Sequence, residues 1–345
     1  MKKMVRSGQS HKSRILFASF AALVFISCNG CDSSSNKPST STPPSTVMVQ
    51  VNTPKFNADS AFAFVKQQVD FGPRIPNTKA HVDCGNWMID KLKEFADTVI
   101  VQSFQVRAFD GKVLNSRNIV GSFHPDLGNR IMLCAHWDTR PFADQDTQRK
   151  NEPIDGANDG ASGVGVLLEV ARQLSITNPK VGIDIVLFDV EDYGQPDESE
   201  FPTMEDSYCL GSQHWAKNLH LPNYVARYGI LLDMVGSANI QFNKEGTSMQ
   251  YAADIVDKVW RIAEATGFGA HFINQQRNGI IDDHYYINKM LGFKVIDLIH
   301  FEESSPSKFW KHWHTHEDTI DKIDKNSLYV TGQTLLEVLF REVPL

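Results

Sequence analysis

Arg130-Ile131-Met132-Leu133-Cys134-Ala135-His136-Trp137-Asp138 is the stretch that decides the fold. From Ile131 to Ala135 it is wholly apolar. A strand with one wet face alternates apolar and polar residues. An unbroken apolar run of this length marks a strand covered on both faces, as in a parallel sheet. Predominantly apolar runs recur at 181–188, interrupted by Asp184, at 228–232, and at 293–299, interrupted by Lys294 and Asp297. Between these runs, 164–174, 211–219 and 248–266 carry helical periodicity, and 327–341 reads as the last helix. Upstream, 59–71 and 78–95 are two more amphipathic helices. Segment 99–109 alternates and is rich in β-branched and aromatic residues, Asp110-Gly111 supplies a hairpin turn, and 118–123 is its partner strand. An initial hairpin followed by alternating helices and strands predicts an α/β fold of three layers. Its central sheet is mixed and mostly parallel, with helices on both faces.

The first fifty residues follow other rules. Lys2, Lys3, Arg6, Lys12 and Arg14 precede a short apolar run at 15–26, and Ser27-Cys28 follows. That is an export signal, too short for an ordinary membrane helix. A small residue before cysteine resembles a bacterial lipobox, with Phe25 where Leu or Val is usual. The expectation is a lipoprotein-type signal peptide over 1–28, with Cys28 lipidated; cleavage by ordinary signal peptidase is the alternative. Residues 29–50, rich in Ser, Thr, Pro and Asn, read as a flexible tether. A single catalytic domain is expected over 51–345. The protein would then be exported and lipid-anchored, in the periplasm or on the outer surface of a bacterial membrane, touching lipid only through its anchor.

A hydrophobic fraction of 41% in 345 residues suffices for one large core. The net charge of −7 carries no basic footprint, which argues against nucleic acid as a partner. Of five cysteines, Cys28 and Cys31 belong to the leader. The odd remainder, Cys84, Cys134 and Cys209, argues against a disulfide framework and suits small buried core residues.

The chemistry-bearing residues sit where the apolar runs end. His136 and Asp138 fall on one side of their strand and can point at a common atom, or simply bond each other. Asp159 lies in Asn158-Asp159-Gly160-Ala161-Ser162-Gly163, where small neighbours let backbone approach an ion; it could equally cap the helix that follows. Glu191-Asp192 places two acids after a largely apolar strand. Burying both is costly unless a cation or proton compensates, so one on a metal and one kept as a proton shuttle resolves the cost. Asp233 ends another apolar run, and Asp282-Asp283 opens a probable helix as caps or as more. His314 follows Trp313, with His312 and His316 as rivals on composition alone. Carboxylates and a histidine gathered at strand carboxyl ends suit zinc, and open α/β sheets place ligands there.

Taken in order, these motifs resemble the zinc-dependent exopeptidases of the bacterial leucyl aminopeptidase type. Within that clan, Tyr208-Cys209-Leu210-Gly211-Ser212-Gln213-His214, Leu231-Leu232-Asp233, Asp282-Asp283-His284 and Trp313-His314-Thr315 look like glutaminyl-peptide cyclotransferases (glutaminyl cyclases). The resemblance covers the chain after the tether. It implies one zinc per chain, held by Asp159, Asp192 and His314. It further implies Glu191 as acid/base, with Asp233 and Asp282 as a hydrogen-bonded carboxylate pair behind it, and Trp313 and Phe309 as pocket walls. The activity it implies is cyclisation of the N-terminal glutamine of exported peptides and proteins to pyroglutamate, with loss of ammonia. The chain departs from the animal enzymes in carrying Asp192 for Glu and Asp297 for His, and in lacking their paired cysteines. It also offers Tyr193 as the nearest aromatic after the acidic pair, taken here as a third pocket residue. Two other readings stay open. One is a dinuclear zinc aminopeptidase of the same fold, with a second ion at His136 and Asp138 bridged by Asp159. The other is a tethered peptide- or glycan-binding protein without catalysis.

Overall fold

The strands of the computed structural model, in chain order, are β1 (Thr98–Arg107), β2 (Val113–Phe123), β3 (Arg130–His136), β4 (Gly182–Phe188), β5 (Tyr228–Asp233), β6 (Phe242–Lys244), β7 (Phe272–Gln276) and β8 (Val295–Ile299). Residues 51–343 are described, so the expected signal, lipidated cysteine and tether lie outside them. Six strands form one sheet in the order β1-β2-β4-β3-β5-β8. The β1–β2 hairpin joins antiparallel, β2 runs antiparallel to β4, and β4, β3, β5 and β8 are mutually parallel. Every residue of β3, β4, β5 and β8 is buried, as their predominantly apolar runs suggest, Asp184 of β4 and Asp297 of β8 included.

Helices cover both faces. They are α1 (Ala58–Asp70), α2 (Lys79–Phe95), α3 (Ala161–Leu174), α4 (Leu210–Lys217), α5 (Gly246–Ala265), α6 (Asp283–Leu291) and α7 (Lys325–Phe340). Met132 and Cys134 of β3 join a core with Trp215 of α4 and Ile287 of α6. Ala135 points the other way, to α3, where a Cβ on Gly163 would lie 2.5 Å from the Leu232 carbonyl oxygen. Only glycine lets the helix approach the sheet so closely. On that side α1, α3 and α7 pack together. At the amino-terminal edge of the sheet, Arg130 pairs with fully buried Asp184 at 2.6 Å, and Ser122 and Tyr224 hydroxyls donate to the same carboxylate.

Two features went unread in the sequence. β6 and β7 form a separate two-stranded parallel ribbon. Helix α5 kinks at Ala252, whose φ/ψ of −144°/36° leaves the helical region. Cys84, Cys134 and Cys209 are all buried thiols. No helix among the described residues is long and apolar enough to cross a membrane.

Candidate metal centre and active site

Parallel strands end at a common edge, and their register aligns the site. Cys134 pairs with Leu231 in β3–β5, so two residues on, His136 and Asp233 emerge level. His136 pairs with Phe188, the last residue of β4, and Glu191-Asp192 follow in the next turn. Asp159 arrives from the turn before α3, and His314 from the loop between β8 and α7.

Ligand atoms of Asp159, Asp192 and His314 all lie within 4.8 Å of one another. His314 Nε2 is 3.1 Å from Asp192 Oδ1 and 3.7 Å from Asp159 Oδ2. All three residues are buried. Among the described residues, Asp159 Oδ2 and Asp192 Oδ2 have no hydrogen-bond partner. Two buried carboxylates with orphaned oxygens beside an imidazole form a donor set that fits zinc, with room for an open fourth position. Burial, and then the charge of Asp159, pushes the Asp192 carboxyl up to about 6. Burial also pushes Asp159 upward, but contact with His136 and the charges of His136, His314 and Arg140 hold it below its usual value.

Further buried carboxylates clamp these ligands from behind. Asp138 accepts the backbone N–H of Glu191 at 3.0 Å and of Asp192 at 3.1 Å, one on each oxygen. Asp318 does the same for Asn158 and Asp159, at 2.7 and 3.0 Å. Burial, with the Asp159 charge, pushes Asp318 up to about 8. Asp144 Oδ1 sits 3.1 Å from His314 Nδ1. Buried Arg140 holds Asp144 with two N–H donors and gives a third to the carbonyls of Asp192 and Gly194. Although burial works upward, His314 and Arg140 hold Asp144 well below the usual carboxylate range. A carboxylate behind a metal-binding imidazole fixes its orientation and raises its basicity. Asp144→Asn is therefore expected to weaken zinc binding by about 10- to 100-fold while leaving the fold intact, as measured by competition with a chromogenic chelator.

Strain gathers here. Val190, Cys209, Met234 and His314 all take left-handed backbone conformations, with φ of 56°, 58°, 50° and 56°. For β-branched Val190 that is a costly position, and it aims the following Glu191. Burial pushes Glu191 well above the usual carboxylate range; His136 pulls the other way, while Asp282, Asp192 and Asp283 add to the rise. Glu191, Cys209 and Asp282 bring side-chain atoms within 4.8 Å of one another. Asp282 also caps α6 through the Asp283 N–H. Asp233 is pushed up to about 7 by burial, with Asp282 and Asp159 adding and His136 opposing.

A second group shares Asp159. His136 Nε2 lies 3.1 Å from Asp159 Oδ1 and 3.4 Å from Asp233 Oδ1. His136, Asp159 and Asp233 have ligand atoms within 4.8 Å. Asp138, the expected companion of His136, lies 3.6 Å from its Nδ1 and accepts one backbone N–H on each oxygen, while Asp233 is the acid grouped with His136 and Asp159 on the Nε2 side.

The aromatic residues divide. Trp313 stacks on the His314 ring at 3.7 Å, and Phe309 lies 4.9 Å from Trp313. Tyr193, expected beside them, is buried in a different cluster with Phe104, Leu114 and Leu210. Its hydroxyl donates to Asp110 and accepts from Lys112. Among the three candidate histidines His314 turns to the carboxylates, whereas His316 pairs with Asp146 at 2.9 Å and His312 packs edge-on against Trp310. Sequence reasoning passed over Asp144, Arg140 and Asp318. Nothing in the polar loop around Asp144 marks it, and Asp318 reads as one more acid after His314.

Comparison with known proteins locates this arrangement in a family. The model described as peptidase family M28 matches residues 118–339. The solved structure of Bacteroides thetaiotaomicron glutaminyl cyclase bound to N-acetylhistamine is 50% identical, covers 85% of this chain and 100% of its own, and superposes with a TM-score of 0.83. A leucine aminopeptidase precursor from Bacteroides thetaiotaomicron VPI-5482 is also 50% identical, with the same coverages of 85% and 100% and a TM-score of 0.82. Aminopeptidase YwaD of Bacillus subtilis is 26% identical over 256 residues, 70% of this chain but 47% of the relative, so the chain spans about half that protein's length. The matched span of the family model takes in the ends of β3, β4 and β5 and the loop bearing His314: the chain belongs to peptidase family M28.

Proposed function

We propose that this chain is a zinc-dependent glutaminyl-peptide cyclotransferase, closing the N-terminal glutamine of peptides and proteins to pyroglutamate with release of ammonia. The observation that carries this reading is the approach of Asp159, Asp192 and His314 within 4.8 Å, beside Glu191 and beneath Trp313. It is supported by the 50% identity to a glutaminyl cyclase over the full length of that structure. Asp159, Asp192 and His314 would hold one zinc per chain, which would supply Lewis-acid polarisation of the amide oxygen.

The remaining work belongs to the chain itself. The substrate's α-amine attacks its own γ-carboxamide carbon, so the new C–N bond closes the ring as the bond to the amide nitrogen breaks. Glu191 takes the proton from the amine and returns it to the departing nitrogen, which leaves as ammonia. A carboxyl lifted toward neutrality by burial is suited to both transfers. Asp233 and Asp282, behind it, keep that environment acidic. Trp313 and Phe309 fold the flexible glutamine side chain toward a near-attack conformer and exclude water. Export through the leader and a lipid at Cys28 would set this activity on exported proteins; Cys28→Ser should move the protein out of the membrane fraction.

The deciding experiment offers Gln-initiated and Leu-initiated dipeptides to the purified protein. Ammonia from the first, without free amino acid from the second, is the expected result. The aminopeptidase reading keeps one specific support, the His136, Asp159 and Asp233 group around a shared carboxylate. Zinc stoichiometry separates the two. One ion per chain is expected, and two ions with leucine release would replace the cyclase reading with a dinuclear peptidase.

A further inference from the structure

Cys209 is a buried thiol with a hydrogen bond to the proposed acid/base. Its Sγ lies 3.2 Å from Glu191 Oε1. Among the described residues no other donor reaches that carboxylate. Burial, with the charges of Glu191, Asp283 and Asp282, pushes the thiol well above its ordinary pKa, so it stays protonated and donates.

The backbone is built around this contact. Cys209 N–H donates to the Glu191 carbonyl at 2.8 Å, and Leu210 N–H to that of Val190 at 2.9 Å. The Cys209 carbonyl in turn accepts from Gln213 N–H at 3.0 Å and from the Ser212 hydroxyl at 3.1 Å. A Cβ on Gly211 would fall 1.9 Å from the Asp189 carbonyl oxygen, so a glycine there is required for the two segments to meet. Val190 and Cys209 are both left-handed, at 56° and 58°. Two strained residues on facing segments thus bring one thiol onto one carboxylate oxygen.

We infer that Cys209 is a positioning residue for the reaction: its S–H donates to Glu191 Oε1 and leaves Oε2 turned to the substrate. This rests on the role of Glu191 given above. A carboxylate fixed at one oxygen presents the other in a single orientation, and misplacement of a proton carrier by a fraction of an ångström is costly to turnover but not to substrate binding.

Two variants test it. Both place a small residue at the same strained position, so backbone strain is nearly matched and only the donor differs. Cys209→Ala is expected to lower kcat about tenfold, with KM and zinc content unchanged. Cys209→Ser, which restores an O–H donor, should return kcat to within about threefold of wild type. Full turnover in Cys209→Ala would overturn the inference, as would equal loss in the alanine and serine variants, which would make the thiol a packing group. Ammonia and amino-acid release are followed together. Failure of the cyclase reading then appears in the wild-type protein, and failure of this inference appears in the variants alone.

Discussion

Glu191→Gln is expected to keep its zinc and to lose ammonia release from a Gln-initiated peptide by about a thousandfold, within the range that loss of a positioned general acid–base costs. The amide matches the carboxylate in size, still accepts the Cys209 thiol, and leaves Asp159, Asp192 and His314 untouched. What it lacks is a titrating oxygen. The loss should therefore fall on kcat, with KM little changed, because the group acts on a proton in flight rather than on the bound substrate. Removing one of several crowded acids should not destabilise the fold: burial and the charges of Asp282, Asp192 and Asp283 all disfavour an ionised Glu191. A variant with near-normal turnover would reject the assignment of Glu191.

His314→Ala is expected to abolish stoichiometric zinc binding and to reduce activity to background. It removes the one nitrogen donor of the set and leaves two buried carboxylates without their partner, with Asp144 and Arg140 facing a void. The sharper readout is thermal. A ligand that binds only the folded state at a thousand times its Kd stabilises it by about 4 kcal/mol. Wild-type protein should therefore melt several degrees lower after exhaustive chelation, and the variant should melt at one temperature with or without zinc. A variant that still holds an ion tightly and melts higher with it would remove His314 from the site.

The secondary structure was largely legible, because the core strands announce themselves through predominantly apolar runs that two-sided burial explains. Arg130–His136 is the clearest case: every residue is buried. The β6–β7 ribbon was missed because its strands are short and one of them is mostly exposed, so neither periodicity nor composition sets them apart. The kink at Ala252 has no local breaker to reveal it.

The site divides in the same way. Residue type and place at a strand end pointed to Asp192 and Asp233, because carboxyl edges of parallel strands are where side chains converge, whereas Asp159 and His314 come from loops and His314 was singled out from its neighbours by the family resemblance. Local pattern could not choose between Asp138 and Asp233 as companion to His136. That choice depends on which ring nitrogen each carboxylate faces: Asp138 lies 3.6 Å from Nδ1, whereas Asp233 lies 3.4 Å from Nε2, the nitrogen that also meets Asp159. Tyr193 illustrates the converse: an aromatic beside the acidic pair in sequence packs into the apolar cluster of Phe104, Leu114 and Leu210.

By itself, then, the amino-acid order determined the layers, the parallel sheet and the list of residues able to bind a metal or carry a proton, since these follow from periodicity and chemical type. Only the tertiary structure decided which oxygens are already engaged and which remain open. Asp144 pairs with His314, Asp318 accepts the Asn158 N–H and the Cys209 thiol donates to Glu191; each contact spans at least eighteen positions in sequence, and such long-range pairing is written in no local stretch of chain.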